Sequence, residues 1–185
     1  MKLQRLYSLT RQAIDYYHLI EDGDHIAVGI SGGKDSLTLL YALQGLKQFY
    51  PKHFELSAIT VDLGFGDFDL SPVKELCERF CVPCTIVSTE IGKILFETRK
   101  ESNPCALCAK LRKGALNDAA IKLGCNKIAY AHHREDLIET MLLSLIYEGR
   151  FYAFSPSTYL DRTGLTVIRP MIYVKEADVI GFKNK

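Results

Sequence analysis

The chain begins with apolar residues at spacings of three and four from Leu3 to Ile20, a period that predicts an amphipathic helix. A short apolar run at residues 25–30 follows the turn-forming pair Gly23-Asp24 and predicts a buried strand. The sequence SGGKDS then occupies residues 31–36, and a leucine-rich stretch from 37 to 46 continues as a helix. This part of the chain is therefore predicted to run from a helix through a strand and a glycine loop into a second helix.

The same alternation of apolar strands and helical stretches repeats along the rest of the chain. Further strands are predicted at 54–63, 83–89, 127–132 and 165–171, and further helices at 71–80, 104–123, after 133 and from about 176. Strands that alternate with helices form parallel βαβ units. The prediction is one α/β domain over residues 1–185, an open doubly wound parallel sheet with helices on both faces, and residues 1–22 as an N-terminal helix packed on it.

Two stretches, residues 63–69 and 149–164, show neither the apolar spacing of a helix nor the apolar pattern of a strand, and they are predicted to be loops. In a doubly wound fold the loops at the carboxyl ends of the strands bind ligands. Both stretches are therefore candidates for covers over a binding site.

The composition is that of an ordinary globular protein, with 48% hydrophobic residues among 185 and a mean hydropathy of +0.01. No apolar stretch approaches the roughly 20 residues of a membrane helix, and the first residues lack the apolar centre of a signal peptide. We therefore expect a cytoplasmic protein without a membrane partner. In a reducing compartment its six cysteines serve as core residues, metal ligands or reactive thiols rather than as disulfides.

The net charge of +1 conceals a difference between the two halves of the chain. Residues 1–92 contain 8 Lys and Arg against 12 Asp and Glu, whereas residues 93–185 contain 15 against 10. The second half is thus the better candidate for binding a polyanion, although a solvated helix surface would explain the same charges.

The SGGKDS segment stands where a phosphate-binding loop is expected, between a buried strand and the start of a helix. Gly32 and Gly33 allow backbone N–H groups to approach a phosphate, and the helix N-terminus adds a partial positive charge. Lys34 and the hydroxyls of Ser31 and Ser36 supply further donors. The segment matches neither the Walker spacing nor the dinucleotide fingerprint.

A second candidate for chemistry is the pair Cys105 and Cys108, which follows Asn103-Pro104. Asn103 suits an N-cap and Pro104 the first helical position, so both thiols are predicted in the first turns of one helix, on one face. A helix N-terminus with basic residues close behind favours thiolate. A single CxxC is compatible with a redox dithiol, half a zinc site, two ligands of an iron–sulfur cluster, or core packing.

The remaining cysteines are interpreted as core residues. Cys77, Cys81 and Cys84 have the C-x₃-C-x₂-C spacing of radical S-adenosylmethionine enzymes, but here they are divided between a helix end and the next strand. Cys125 is predicted at the start of the fourth strand, at the edge opposite the glycine loop. None of the four is therefore assigned to a site.

Four segments, in order and spacing, resemble a known family between about residues 24 and 182. They are SGGKDS, CALCAKLRKGAL (105–116), AYAHHREDLIETMLLSLIYEGR (129–150) and IRPMIYVKEADVIGF (168–182). The family is the tRNA thiolation enzymes of the 2-thiocytidine synthetase type, among the N-type ATP pyrophosphatases with a PP-loop and an adenine nucleotide alpha hydrolase-like fold.

The resemblance implies binding sites for ATP and Mg²⁺. Residues Ser31 to Ser36 would cradle the β and γ phosphates, and Asp35 would help to hold Mg²⁺. The adenosine pocket would be formed, at the strand ends, by Val28, Gly29, Ile30, Val61 and Asp62, with Ala131 and His132 beside it.

The resemblance also implies the reaction, in which ATP adenylates the C2 oxygen of a tRNA pyrimidine, most simply cytidine, and sulfur replaces that oxygen. Adenylation is chemically reasonable, since AMP is a good leaving group and a ring oxygen is a poor one. Lys34, Asp35, Arg112 and Asp136 would be catalytic, and Cys105 and Cys108 would bind a [4Fe–4S] cluster. The implied partners are tRNA, a sulfide or persulfide donor, and a second copy of the chain in a homodimer. A base extruded from the tRNA could stack on Phe151, Tyr152 and Phe154, although the same residues could form a hydrophobic lid.

The chain departs from this family in two respects: Glu135 stands where an Asp is more usual, and no cysteine follows Cys125 where a third cluster ligand is usual. Either the chain is shortened relative to the family at its C-terminal end, or the third ligand comes from a different residue or subunit, or the cluster is not built. Two alternatives therefore stay open. A persulfide on Cys105 or Cys108 could deliver the sulfur without a cluster, or the chain could be a non-catalytic partner subunit that binds ATP.

Overall fold

The computed structural model describes residues 3–64, 69–95 and 104–183. These residues form six strands and seven helices in the order α1 (Leu3–Tyr16), β1 (Asp24–Gly29), α2 (Lys34–Lys47), β2 (Phe54–Asp62), α3 (Ser71–Arg79), β3 (Cys84–Ser88), α4 (Ile91–Lys93), α5 (Pro104–Lys122), β4 (Lys127–Ala129), α6 (Arg134–Glu148), β5 (Ser157–Leu160), β6 (Leu165–Ile168) and α7 (Glu176–Lys183). None of the helices in these residues is long and apolar enough to span a bilayer.

The strands form one sheet in the order β3-β2-β1-β4-β6-β5. Every neighbouring pair is parallel except β5 and β6, which pair antiparallel at one edge. The chain moves outward from β1 through β2 to β3 and then crosses back to β4 on the other side of β1. The point where the order reverses, between β1 and β4, is where folds of this kind bind ligands.

Helices cover both faces of the sheet, which confirms the doubly wound α/β prediction. On β1, Ile26 and Val28 face a core shared with α1, α2, α3 and α7, while Ala27 faces the smaller core under α5. Helix α1 packs against α2 through the fully buried Leu6 and Ile14. This alternation along one strand is expected of a strand buried on both faces.

Several element boundaries differ from the sequence predictions. Helix α1 ends at Tyr16 rather than near residue 20, and β4 and β6 end at Ala129 and Ile168 instead of at 132 and 171. The residues beyond both strand ends carry polar groups into the binding edge of the sheet. Gly124 ends α5 as predicted, with a positive φ of 73° that a glycine adopts without strain.

The stretch 149–164 was predicted to be a loop, and that prediction is wrong for residues 157–160, which form β5. These four residues are half-buried or exposed and pair only with β6, so their side chains carry no strong alternation. Residues 65–68 of the other predicted loop, and Asn103 before α5, lie outside the described residues.

The cysteines not assigned to a site divide into three environments. Cys77 is buried on α3 and Cys125 is buried at the start of β4, away from the loop, as predicted. Cys84 is partly buried at the start of β3. Cys81 corrects the prediction of a core residue: α3 ends at Arg79, and Cys81 takes a positive φ of 52° that leaves its side chain exposed.

Candidate functional site

The loop of residues 31–36 is held in shape by its own hydroxyl groups. The amide of Ser31 donates to Ser36 Oγ over 3.2 Å, and Ser36 Oγ donates to the carbonyl of Gly33 over 3.0 Å. Gly32 has a positive φ of 77°, which requires glycine. No side-chain hydrogen bond from Gly33 caps α2, so the first N–H groups of the helix are available to an anion.

A cavity of about 460 Å³ lies beside this loop, at the carboxyl ends of β1, β2 and β4. Its volume falls within the range of small-molecule sites. Eleven of the residues that the sequence predicted for the site line it: Gly29, Ile30, Ser31, Asp35, Ser36, Val61, Asp62, Arg112, Ala131, His132 and Asp136. The structure therefore brings together predicted residues that lie up to about 100 positions apart in the chain.

The other predicted residues lie outside the lining of the cavity. Val28 is fully buried in the core beneath α2, so its side chain serves packing rather than the pocket. Gly32, Gly33 and Lys34 lie on the exposed side of the loop, and Cys105 and Cys108 lie further along α5.

Lys34 is paired with two carboxylates at the start of α2. Its Nζ donates to Glu176 Oε1 on α7 over 3.1 Å and to Asp35 Oδ2 over 3.3 Å, and it lies 3.2 Å from Asp35 Oδ1. These hydrogen bonds, to Glu176 and then Asp35, raise the pKa of Lys34, which keeps its positive charge. Asp35 Oδ1 is buried and accepts no hydrogen bond within the described part of the chain, although Lys34 is near. It is thus an oxygen suited to a hard cation.

The start of α6 is tied to the start of α7 through Glu135. Glu135 Oε2 accepts the backbone N–H of Glu176 over 2.8 Å, and Oε1 accepts from Arg134 Nη2 over 2.8 Å. Asp136 Oδ2 accepts the amide of His133 over 2.7 Å, as an acidic residue at a helix N-terminus commonly does. Asp136 therefore caps α6 and also lines the cavity.

Helix α5 joins the cavity to the two thiols. Leu116 and Arg112 line the cavity, and Cys108 lies one further turn towards the N-terminus. Because residues four apart share a helix face, Cys108, Arg112 and Leu116 form one stripe, with Cys108 about 6 Å along the axis from Arg112. The helix can approach β1 closely because Gly29 has no side chain; a Cβ there would lie 3.1 Å from Leu116 Cδ2.

The two thiols are free and accessible. Cys105 is exposed and Cys108 is partly buried, and both occupy the first turns of α5. Among the residues that the structure describes, no group of three His, Cys, Asp or Glu side chains could hold a metal.

Of a second group of residues around the cavity, sequence reasoning proposed only Phe154, as one of three aromatic residues that could stack on a base. Tyr130 lines the cavity directly, as do Ile59, Thr60, Leu63 and Leu116. Behind the lining residue His132, the ring of Phe154 lies 4.8 Å from the His132 ring, measured between centroids. The Cζ atom of Arg169 lies 4.9 Å from the Phe154 centroid. Tyr130 follows directly after β4 and Arg169 directly after β6. This location at a strand end is the one sequence signal that could have marked them as site residues.

Comparison with known proteins identifies relatives of this arrangement. A PP-loop domain family matches residues 4–185. The chain is 42% identical over 180 residues to a tRNA-cytidine(32) 2-sulfurtransferase of Syntrophotalea carbinolica and 38% identical over 186 residues to one of Geobacter sulfurreducens. These alignments cover 97% and 100% of this chain, but only 70% and 72% of the relatives.

A solved structure shares the fold at lower sequence identity. The U34-tRNA thiolase NcsA of Methanococcus maripaludis, described with its [4Fe-4S] cluster, has a TM-score of 0.78 and 23% identity. The match covers 98% of this chain and 63% of the thiolase, so the chain spans somewhat less than two thirds of that protein. The loop, the cavity and the matched relatives agree: this chain belongs to the PP-loop domain family, in the group of the tRNA-cytidine 2-sulfurtransferases.

Proposed function

We propose that the chain catalyses ATP-dependent thiolation of a cytidine in tRNA, at the position named for its relatives. The observation that carries the proposal is the stripe on α5, where Leu116 and Arg112 line the cavity and Cys108 follows on the same face. One rigid helix thereby fixes the distance between a nucleotide site and a pair of thiols. A reaction that activates a base with ATP and then delivers sulfur to it needs both within one substrate's reach.

The loop and its neighbours would perform the activation. The free N–H groups of α2 and the Lys34 ammonium would bind the β and γ phosphates and stabilise the leaving pyrophosphate. Asp35, whose Oδ1 is buried without a hydrogen-bond partner in the described residues, would hold Mg²⁺. Arg112 and Asp136, which both line the cavity, would orient the cytidine O2 and the α-phosphate for adenylation.

Cys105 and Cys108 would hold a [4Fe–4S] cluster. The pair fits such a group, since both thiols are free, lie three residues apart at a helix N-terminus and are accessible. A third ligand would come from outside the described residues. When bound, the cluster would supply the sulfur-delivering centre. The protein's own part is to hold both thiolates on α5, with Arg112 one turn closer to the cavity.

A second candidate uses the two thiols alone, which are both free and lie three residues apart on one helix. A persulfide on one cysteine would attack C2 of the adenylated base and expel AMP. The other cysteine would then attack the sulfur of the first, forming a Cys105–Cys108 disulfide and releasing the thiolated base. An external thiol reductant would restore the dithiol, and iron analysis separates this route from the first.

The proposed partners follow from the same reaction. The sulfur donor is sulfide or a persulfide carrier, and the reaction takes place in the cytoplasm, where tRNA and reduced thiols are both present. A homodimer is supported by α6, in which residues 140–147 carry no charge. Ser144 is the one buried residue of this helix, while Ile146 is 71% and Tyr147 80% exposed. A helix apolar on all sides is normally buried.

Light scattering tests the homodimer. The wild-type chain is expected at twice its monomer mass, and Ile146→Glu at the monomer mass. Ile180→Glu, on the exposed side of α7, is the matched control and should remain dimeric. A wild-type monomer at micromolar concentration would contradict the dimer.

The proposed function is tested by incubating the anaerobically reconstituted chain with ATP, Mg²⁺, sulfide and unmodified tRNA. Nucleoside mass spectrometry should then detect 2-thiocytidine that depends on ATP, with one pyrophosphate released for each thiolation. Cys81→Ser, which removes another exposed thiol, should behave as wild type. ATP binding without tRNA-dependent pyrophosphate release would instead identify a non-catalytic partner subunit.

A further inference from the structure

The two sides of the cavity differ in chemistry. The side formed by β2 presents mainly apolar side chains, Ile59, Val61 and Leu63, next to the phosphate loop. The side formed by the end of β4 presents Tyr130 and His132. Because β1 lies between them, the two sides are two strand spacings apart, about 10 Å. A nucleotide whose phosphates lie on the loop can occupy the β2 side and leave the β4 side free.

The β4 side carries polar atoms that have no partner within the described residues. Tyr130 Oη and His132 Nδ1 are both buried and both lack a hydrogen bond. Burial, and then the nearby Arg169 guanidinium, hold the pKa of His132 below its usual range, so the ring is neutral. Buried polar atoms are normally hydrogen-bonded, so two unpaired atoms on one cavity wall indicate a polar ligand.

The wall behind these atoms is an aromatic stack held in place by Arg169. Phe154 lies between the His132 ring, at 4.8 Å and an interplanar angle of 38°, and the Arg169 guanidinium. Arg169 Nη1 also donates to the carbonyl of Ser155 and to Thr158 Oγ1, and its amide donates to the carbonyl of Pro156 over 2.9 Å. These contacts join the segment before β5 to the end of β6 and hold Phe154 between Arg169 and His132.

We propose that Tyr130 and His132, backed by Phe154, form the subsite for the pyrimidine ring of the RNA substrate. The assignment rests on the proposed function and places His132 on the base rather than on ATP. A flipped-out pyrimidine presents a flat ring and an edge of donors and acceptors, and proteins receive such rings with aromatic walls and polar groups aimed at that edge. Tyr130 Oη and neutral His132 can each donate or accept, as the edge of cytosine requires.

Arg169 is a positioning residue in this assignment, because it acts on the ring through Phe154. Arg169→Lys keeps a positive charge but loses the planar guanidinium that stacks on Phe154 and reaches two acceptors. It should raise the KM for tRNA and leave kcat nearly unchanged. A role confined to folding would instead lower the amount of active protein without changing KM.

The decisive experiment compares Tyr130→Phe and His132→Phe with wild type, since both variants keep a ring and remove the unpaired polar atom. Tyr159→Phe, on the exposed side of β5, is the matched control. We expect kcat/KM for tRNA in the pyrophosphate-release assay to fall about 10- to 100-fold, as for a lost buried hydrogen bond. Affinity for a non-hydrolysable ATP analogue should change less than about twofold.

The preference for cytidine over uridine at the modified position should also fall in these variants. Equal losses of ATP and tRNA affinity would place the two side chains on the nucleotide and overturn the subsite, as would unchanged tRNA kinetics. Binding of CMP, followed by saturation-transfer NMR with the ATP analogue present, gives a readout that needs no turnover. Wild type should show contact to the cytosine protons and His132→Phe should not; equal signals, or no contact in either, would also overturn the subsite.

A failure of the proposed function has a different signature. A wild-type chain that releases no pyrophosphate with tRNA, yet binds CMP beside the ATP analogue through His132, would lack the thiolation activity while keeping the subsite.

Discussion

Two helices begin on either side of the same cavity, and their first turns are built differently. At α2, Ser31, Gly33 and Ser36 hydrogen-bond to one another, and Lys34 is paired with Glu176 on α7. At α5, Cys105 is exposed and the two thiols are free. Both helix N-termini favour negative charge. At α2 the loop residues are already hydrogen-bonded to one another, whereas the residues just before α5 lie outside the part of the chain that the structure describes.

The difference indicates how the two halves of the reaction are controlled. The loop at α2 is preorganised for phosphate, which lowers the cost of binding ATP. The thiols at α5 are free, and in the proposed reaction they act through the group that they carry. We therefore expect ATP activation to depend on this chain's own contacts, and sulfur transfer to depend in addition on what the thiols carry.

The largest effect on the α2 side is expected from Lys34→Ala. Without the ammonium, the charge that develops on the leaving pyrophosphate loses its closest side-chain cation, so tRNA-dependent pyrophosphate release should fall by about 10²- to 10³-fold. The measurement is an initial-rate pyrophosphate assay at saturating ATP. The control Lys47→Ala, at the far end of α2, should release pyrophosphate within about twofold of the wild-type rate. A Lys34→Ala variant as active as that control would show that Lys34 has no part in catalysis.

Asp35→Asn should weaken the use of Mg²⁺ rather than abolish the reaction. The amide keeps one oxygen but loses the negative charge, so the Mg²⁺ concentration for half-maximal pyrophosphate release should rise about 10- to 100-fold. Titration with Mg²⁺ at fixed ATP measures the change. Asp22→Asn, at the opposite edge of the sheet, is the control, and an unchanged midpoint would mean that the cation is held elsewhere.

Glu176→Gln should have a smaller effect of opposite sign. Glu176 competes with phosphate for Lys34, and a half-exposed ion pair is worth at most about 1 kcal/mol, so ATP affinity should rise by up to about fivefold. Calorimetric titration of an ATP analogue tests this. Asp178→Asn, on the same helix and paired with Arg5, should leave the affinity unchanged; weaker binding by Glu176→Gln would show that the ion pair supports the loop.

The smallest effect is the dependence of stability on pH that His132 contributes. Burial and Arg169 lower its pKa in the folded state, so the unfolded chain binds more protons as the pH falls through 6.5. The contribution is therefore favourable above that pH and is lost progressively below it. The free energy of unfolding in urea should differ less between pH 5.5 and pH 7.5 for His132→Phe than for wild type. An identical difference for both proteins would contradict the lowered pKa of His132.

The fold and the α2 side of the site could be predicted from the sequence because both depend on local patterns. A buried apolar run before SGGKDS specifies strand, loop and helix together, and Asn103-Pro104 before Cys105 indicates where α5 begins. The cavity itself follows from the sheet order, since the carboxyl ends of neighbouring parallel strands meet at one edge.

The β4 side of the site could not be predicted in the same way. Tyr130 and Arg169 are separated by 39 positions and resemble core or surface residues in the sequence. Phe154 is a candidate for base stacking, but no local pattern places it beside His132. Their contacts depend on β5 pairing antiparallel with β6, and β5 has too little burial to leave a pattern. The exposed position of Cys81 was missed for a comparable reason, because one positive φ after α3 decides it.

In the proposed reaction, α5 couples ATP activation in the cavity to sulfur transfer at its thiols. The most direct test is the ratio of 2-thiocytidine formed to pyrophosphate released, measured on wild type and on Cys105→Ser/Cys108→Ser under anaerobic conditions with iron and sulfide. We predict a ratio near one for wild type, and for the variant pyrophosphate release within about threefold of wild type with no detectable 2-thiocytidine. Thiolation that persists in the variant would contradict this coupling.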